Sequence, residues 1–281
     1  MSDGGTPRVY GWAEDVNALV GCTSPPTDLN AVARNQRVRR LGLRLMIHRG
    51  VLVPIEGGFE VFLRDLKPKD LDILAPEPHD LLTTRQRHAF AHELAHTYYY
   101  RVSTGVPRPT DEVTDYRELE NICDGAARRL LVPANLLRKE IASKLGDSER
   151  IDAAFIRAMK VSFHASYEVV INRISVVESQ NAFARCILLI RRDGGEARVT
   201  AWYFGLSILS VLSPPKERYQ PVRSWFAEFP EDLPNVSGIA EREIRRQGRS
   251  LLIQKFPLGR RGDSLLQVDD LAHRAPSSGL S

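Results

Sequence analysis

"RHAFAHELAHTYYY", residues 87–100, sets three histidines four residues apart and places a glutamate directly after the second. On an α-helix, residues four apart share a face with about 5–6 Å between their Cβ atoms, so His92 and His96 present their imidazoles side by side. That spacing lets two ring nitrogens converge on one zinc ion at about 2.0–2.1 Å. Glu93 leaves the helix to one side of the pair. It is too near in sequence to join them as a ligand, but it reaches the place where a general base would meet a water at the ion. The alternative is a buried helix with satisfied imidazoles, because Ala89, Phe90, Ala91, Leu94 and Ala95 surround the histidines. On such an apolar background each polar group needs a partner, and a metal supplies one.

His88 precedes His92 by one turn. At about 5.4 Å per turn, an ion held between His92 and His96 lies nearly two turns from it, so His88 is read as lining a cleft rather than as a ligand. Tyr98, Tyr99 and Tyr100 follow, and a phenol there, Tyr99 or Tyr100, is placed either to steady an oxyanion or simply to pack. Thr83 with Gln86 forms a capping box, which predicts a helix from there to about Tyr100, broken by "STGVPRPT".

A catalytic zinc normally has three protein ligands and one open position, so the third is sought on a neighbouring helix. The spacing predicts a second helix over about 112–131 and a third starting at Pro133. "ELENICDGAARRLLVP", residues 118–133, offers Glu120 and, four residues on, Asp124 on the same face. Glu120 is the candidate ligand. Asp124 is the candidate acceptor for the second nitrogen of a ligating histidine, His92 by preference or His96, which fixes the tautomer. Glu118 is the rival ligand on another face, and Glu112, Asp115 and Glu140 read as solvated acids. Cys123 reads as a small buried residue.

Outward from this stretch, residues 1–27 are rich in Gly, Pro and Ser and read as a loosely ordered tail. A helix is expected over 28–48, with Arg37, Arg40 and Arg44 on one face and Val38, Leu41 and Leu45 on another. "VLVPI" reads as a strand whose Pro54 suits a sheet edge, and "FEVFLR" as a second strand along which a peptide would pair. Residues 66–82 read as irregular, with a short strand at "LDIL". Residues 151–180 read as a helix-turn-helix pair with its turn near Lys160–Ser162. From 181 to 273 a further α+β module follows: a hairpin about Asp193-Gly194-Gly195, strands at "SLLIQKFPL" and "SLLQVDDL", and a short helix near 240–247. Residues 274–281 are tail. The domain carrying the metal-site candidate is expected to occupy 28–150, and the fold class is α+β.

The 281 residues are 43% hydrophobic and 26% charged, with a formal charge of +4, which is ordinary globular chemistry. The basic stretches lack the interleaved aromatics of a stacking platform, which argues against direct nucleic-acid binding. Three scattered cysteines form no CxxC pair and argue against a thiolate site, leaving His and carboxylate as metal ligands. No apolar run is long enough to span a bilayer and the start lacks the pattern of a secretory leader, so a cytoplasmic, membrane-free protein is expected.

On HELAH, the preceding "RQRHAFA", the Glu120 thirteen residues before Pro133 and the "FIRAMKVSFHASYEVVINRI" that follows, the chain resembles the ImmA/IrrE family of metallopeptidases over about residues 28–180. Val132 stands where that family usually has Met, and His88 where it is usually apolar. The resemblance implies a small zincin-like, gluzincin-type domain with His92, His96 and Glu120 on Zn2+ and Glu93 as the base. Mn2+ or another divalent ion is an alternative at a His2Glu site. It also implies a protein substrate, a helix-turn-helix repressor cut in a bacterial stress or mobile-element response, and a sensor-like role for the C-terminal module. The competing reading is a DNA-binding or ligand-sensing regulator with a structural or vestigial metal site.

Overall fold

The computed structural model describes residues 7–74, 81–110, 115–145, 151–177, 185–193, 196–204, 209, 212, 214–216, 219–222, 240–246, 249–258 and 263–271. Glu112, Gly194, Gly195 and the 274–281 tail lie outside the described residues. The fold is α+β, and the chain divides into two compact units: Met1–Glu140 with Lys160–Ser166, and Ile141–Met159 with Tyr167–Ser281.

The first unit begins with α1 (Arg8–Leu19) and α2 (Leu29–Asn35), followed by β1 (Val38–Arg44), β2 (Gly50–Ile55), β3 (Gly58–Arg64) and β4 (Lys69–Leu71). These strands form one sheet in the order β2-β3-β1-β4, with β1 and β3 parallel and the other pairs antiparallel. Next come α3 (Thr84–His96), a 3-10 turn at Thr97–Tyr99, the short strands β5 (Tyr100–Arg101) and β6 (Arg108–Pro109), α4 (Tyr116–Leu131) and α5 (Ala134–Leu145), whose residues from Ile141 on are grouped with the second unit. Along β3, Phe59, Val61 and Leu63 are buried while Glu60, Phe62 and Arg64 are not, the period-two pattern of a half-covered sheet. α3 packs against β2, β3, α2 and α4.

Two expectations fail here. Residues 7–27 are not a loose tail: α1 buries Val9, Ala13 and Val16, a helical stripe that Gly11 and the Pro-rich flanks obscure. Asn17 Nδ2 donates to the carbonyls of Arg129 and Leu130 at 3.3 and 3.4 Å, and Glu14 Oε2 accepts from Ala134 N at 2.8 Å. α1 thereby satisfies the end of α4 and the start of α5, whose orphan groups would otherwise be unpaired. Residues 28–48 are also not one helix. Arg37, at φ 59°, ends α2, and β1 takes over with a bulge between Val38 and Arg40. The extra residue puts buried Val38 and Leu41 three apart, which imitates a helical period. Leu45, expected on the apolar face, is 72% exposed.

β3 meets β1 where Phe59 N donates to Arg37 O at 3.0 Å, and a methyl on Gly58 would overlap that carbonyl. Gly58→Ala should therefore destabilise the fold by about 1–3 kcal/mol, read as a lower urea midpoint.

In the second unit, α6 (Ala153–Ser162), whose residues from Lys160 on are grouped with the first unit, and α7 (Tyr167–Val177) precede β7 (Arg185–Asp193), β8 (Glu196–Phe204), β9 (Gln220–Pro221), β10 (Ala240–Arg246), β11 (Arg249–Pro257) and β12 (Ser264–Asp270). α6 extends to Ser162, so the turn between the helices falls at residues 163–166 rather than 160–162. The six strands form an antiparallel sheet in the order β10-β11-β12-β7-β8-β9. Its core includes Cys186, Leu188, Ile190, Val199, Leu251, Ile253, Leu266 and Val268. Asp193 faces Glu196 across the expected hairpin. The stretch near 240–247 is strand, not helix: β10 is a sheet edge carrying charge on both faces, which hides its alternation. α7 packs on β7 and β8, and its one basic residue, Arg173, is 2% exposed.

Candidate metal centre

α3 starts where the sequence places it. The Thr83 hydroxyl accepts from Gln86 N at 3.2 Å, and Gln86 Oε1 accepts from Thr83 N at 3.0 Å. Gln86 Nε2 also donates to Asp65 Oδ2 at 2.7 Å, tying the first turn to the end of β3. The helix ends at His96 instead of running to Tyr100, and the 3-10 turn follows, with Thr97 Oγ1 donating to Leu94 O at 2.6 Å. α4 is capped by Asp115, whose carboxylate accepts from Arg117 N and Glu118 N, so this expected surface acid serves as an N-cap.

Between the two helices, His92, His96 and Glu120 come together. His92 Nε2 lies 3.1 Å from Glu120 Oε2 and 3.1 Å from His96 Nε2, and His96 Nε2 lies 3.3 Å from Glu120 Oε1. Asp124 Oδ1 is 3.0 Å from His92 Nδ1, so Asp124 is the partner of His92 rather than of His96. If the Nδ1 proton is donated to Asp124, a neutral His92 turns a bare lone pair toward the Glu120 carboxylate, and two acceptors face each other. A cation between them resolves the conflict. Around a tetrahedral zinc with bonds of about 2.0–2.1 Å, ligand atoms stand about 3.3 Å apart, close to the three separations found. This cluster could hold a metal ion, and among the described residues it is the one His, Cys and carboxylate group so arranged.

The electrostatics ask for positive charge. Burial works to lower the His92 pKa, but the hydrogen bond to Asp124 and the charges of Glu93, Asp124 and Glu120 outweigh it and raise it. Burial would raise Asp124, yet the His92 hydrogen bond and the charges of His88, His92 and Arg128 carry it down to about 2. His96 is held below its ordinary value, by burial first and then by His92. Cys123 Sγ is 3.6 Å from His96 Nδ1, and the thiol is buried, which pushes its pKa up and keeps it protonated. It backs a ligand rather than acting as one.

Glu93 is 8% exposed, and burial pushes its carboxyl up to about 7. His92 pulls it down, Glu120 raises it, and the Leu52 N–H donates to it. β2 is an edge strand, and Arg64 N donating to Arg49 O at 3.0 Å sets its odd-numbered peptide groups toward β3. Gly50, Leu52 and Pro54 therefore face outward, and Pro54 costs no ladder bond there. A Cβ on Gly50 would stand 2.6 Å from Glu93 Oε1 and 2.9 Å from its Cγ. Gly50→Ala should displace the carboxylate and lower any hydrolysis roughly 10²-fold while metal uptake persists, checked by rate and by metal content.

A cleft of about 790 Å³ opens over these groups, lined by His48 to Leu52, His88, Ala89, His92, Glu93, His96, Tyr99, Tyr100, Pro109, Thr110, Tyr116 and Leu119 to Asn121 with Asp124. His88 lies in the wall, its pKa lowered to about 4 by burial above all. Tyr99 is buried and set edge-on to Tyr98 at 5.1 Å, so packing is its main occupation. Tyr100 is edge-on to Phe59 at 5.4 Å, with its phenol pKa raised by burial and by Glu93. Glu118 is outside the ligand group. β3, expected to pair with a peptide, lies between β2 and β1 with both edges taken, so the open edge at the cleft belongs to β2. Sequence reasoning missed Gly50, Arg49 and Tyr116. Tyr116 sits one turn before Glu120 and hydrogen-bonds to it, a signal readable in the i, i+4 spacing.

Among the described residues no helix is long and apolar enough to cross a membrane. No family model matches this chain, and no curated protein matches it, so the site is read from its geometry.

Proposed function

We propose that the protein is a zinc-dependent metallo-endopeptidase of the ImmA/IrrE kind, acting in the cytoplasm on a protein substrate, with a helix-turn-helix repressor as the expected target. The observation that carries this reading is the position of Glu93: a buried carboxylate beside the three converging ligand atoms, held by a backbone N–H and a glycine gap. A metal kept only for structure needs no such base.

His92, His96 and Glu120 would hold the ion, with Asp124 fixing the His92 ring. When bound, a divalent ion supplies a Lewis acid that polarises a carbonyl oxygen and acidifies water. Glu93 takes a proton from the attacking water and returns it to the amine nitrogen as the C–N bond breaks. Burial raises its pKa, and a bound cation would draw it back toward the carboxylate form that accepts the proton. Tyr100, in the cleft, carries a phenol that can donate to the carbonyl oxygen as negative charge develops there, whereas the phenol of Tyr116 is already committed to Glu120. The outward peptide groups of β2 at Gly50, Leu52 and Pro54 orient an extended substrate, although the Leu52 N–H is already committed to Glu93.

The DNA-binding alternative has less support. The second helix of the 151–180 pair packs on the sheet of its own unit, and its only arginine is buried, so it offers no basic face to phosphates. The test is to incubate zinc-loaded protein with a candidate repressor, with and without a chelator, and to map fragments by mass spectrometry. Cleavage confined to the metal-loaded sample is expected, and an intact substrate in both samples contradicts the assignment for that substrate.

A further inference from the structure

The cleft has unlike ends. α3 and α4 run antiparallel past the metal centre, because His96 meets Glu120 while His92 meets Asp124 one turn further along α4. His88 lies about 6 Å along the axis before His92. The same end receives His48 and Arg49 from the start of β2, and the charge of Arg49 acts on His88. Tyr99, Tyr100 and Tyr116 line the other end, beside His96 and Glu120.

The cleft's acids are all engaged. Glu120 faces the two ring nitrogens, Glu93 accepts from Leu52, and Asp124 is shared by His92 and Arg128, the latter at 3.6 Å. Arg49 is different: it is exposed, it lines the cleft, and it makes no ion pair among the described residues. Its backbone is fixed, since its carbonyl accepts from Arg64 N at 3.0 Å and its neighbour Gly50 abuts Glu93. Arg49 therefore comes one residue before the point where the edge strand touches the proposed base, and its charge reaches His88 in the cleft wall. An ion held between His92 and His96 lies about 9 Å along the axis from His88, which corresponds to roughly three residues of extended peptide at about 3.3 Å each.

We propose that Arg49, with His48 beside it, determines specificity by receiving an acidic side chain of the substrate about three residues from the scissile bond, on the side opposite the tyrosines. The substrate class is a peptide segment carrying Asp or Glu on one side of the cut and an apolar or aromatic residue on the other. This rests on the peptidase reading.

The test uses the zinc-loaded full chain, as wild type, Arg49→Lys and Arg49→Glu, each first matched for zinc content. A peptide mixture from a digested proteome identifies the cut windows, and synthetic peptides with Asp, Gln or Lys at the enriched position give kcat and KM. The expected result is one fixed acidic position for wild type, with Lys there raising KM at least tenfold and changing kcat less. Arg49→Lys should retain the acidic preference and Arg49→Glu should reverse it. Cut windows without acidic enrichment, or an Asp-to-Lys ratio unchanged in Arg49→Glu, overturn the proposal while leaving the peptidase reading intact. If zinc-loaded wild type cuts nothing in the mixture, both fall together.

Discussion

Glu93→Gln should take up one equivalent of divalent ion as the wild type does, yet hydrolyse peptide substrate roughly 10²–10⁴-fold more slowly. The substitution keeps size and shape, so the amide fits the gap that Gly50 leaves, and its carbonyl oxygen can still accept from Leu52 N–H. What it removes is the proton acceptor. The ligands His92, His96 and Glu120 are untouched, so metal content by atomic spectroscopy should match the wild type. A regulator with a structural metal would show no change in function, so equal activity of the two proteins would remove the catalytic role of Glu93.

Glu120→Ala should abolish tight metal binding. The triad would lose its only anionic member, leaving two imidazoles to hold the ion. For the wild type, free metal at about 100 times Kd should stabilise the folded state by about 2.7 kcal/mol, seen as a higher melting temperature that a chelator reverses. Glu120→Ala should show almost none of that shift. Asp124→Ala is expected to fall between them, losing about 10–100-fold in affinity, because the His92 ring would lose the carboxylate that orients it. An unchanged metal-dependent shift in Glu120→Ala would mean that the ion is held elsewhere.

The site was more legible than the sheet around it. A helical period fixes which side chains share a face, so HELAH and the Glu120 to Asp124 spacing carry three-dimensional information in one dimension, and the geometry follows. The capping box marks the start of α3 because it is made by residues three apart. Strand β1 was obscured by its bulge, and strand β10 by its edge position, both settled by partners far along the chain. Gly50 and Arg49 were invisible for the same reason. Nothing local tells a glycine in a turn from one that makes room for a carboxylate over forty residues away in sequence.

The contacts of Asn17 and Glu14 with the far end of α4 and the start of α5 bear on how this centre is assembled. The helix that carries Glu120 and Asp124 is braced by α1. A protein trimmed to start at Asp28 would leave the Ala134 amide and the Arg129 and Leu130 carbonyls seeking water, and its grip on the ion should slacken. During synthesis α1 emerges first and must wait more than a hundred residues for the helix ends it closes. Those lock only once the carboxylate-bearing helix has left the ribosome.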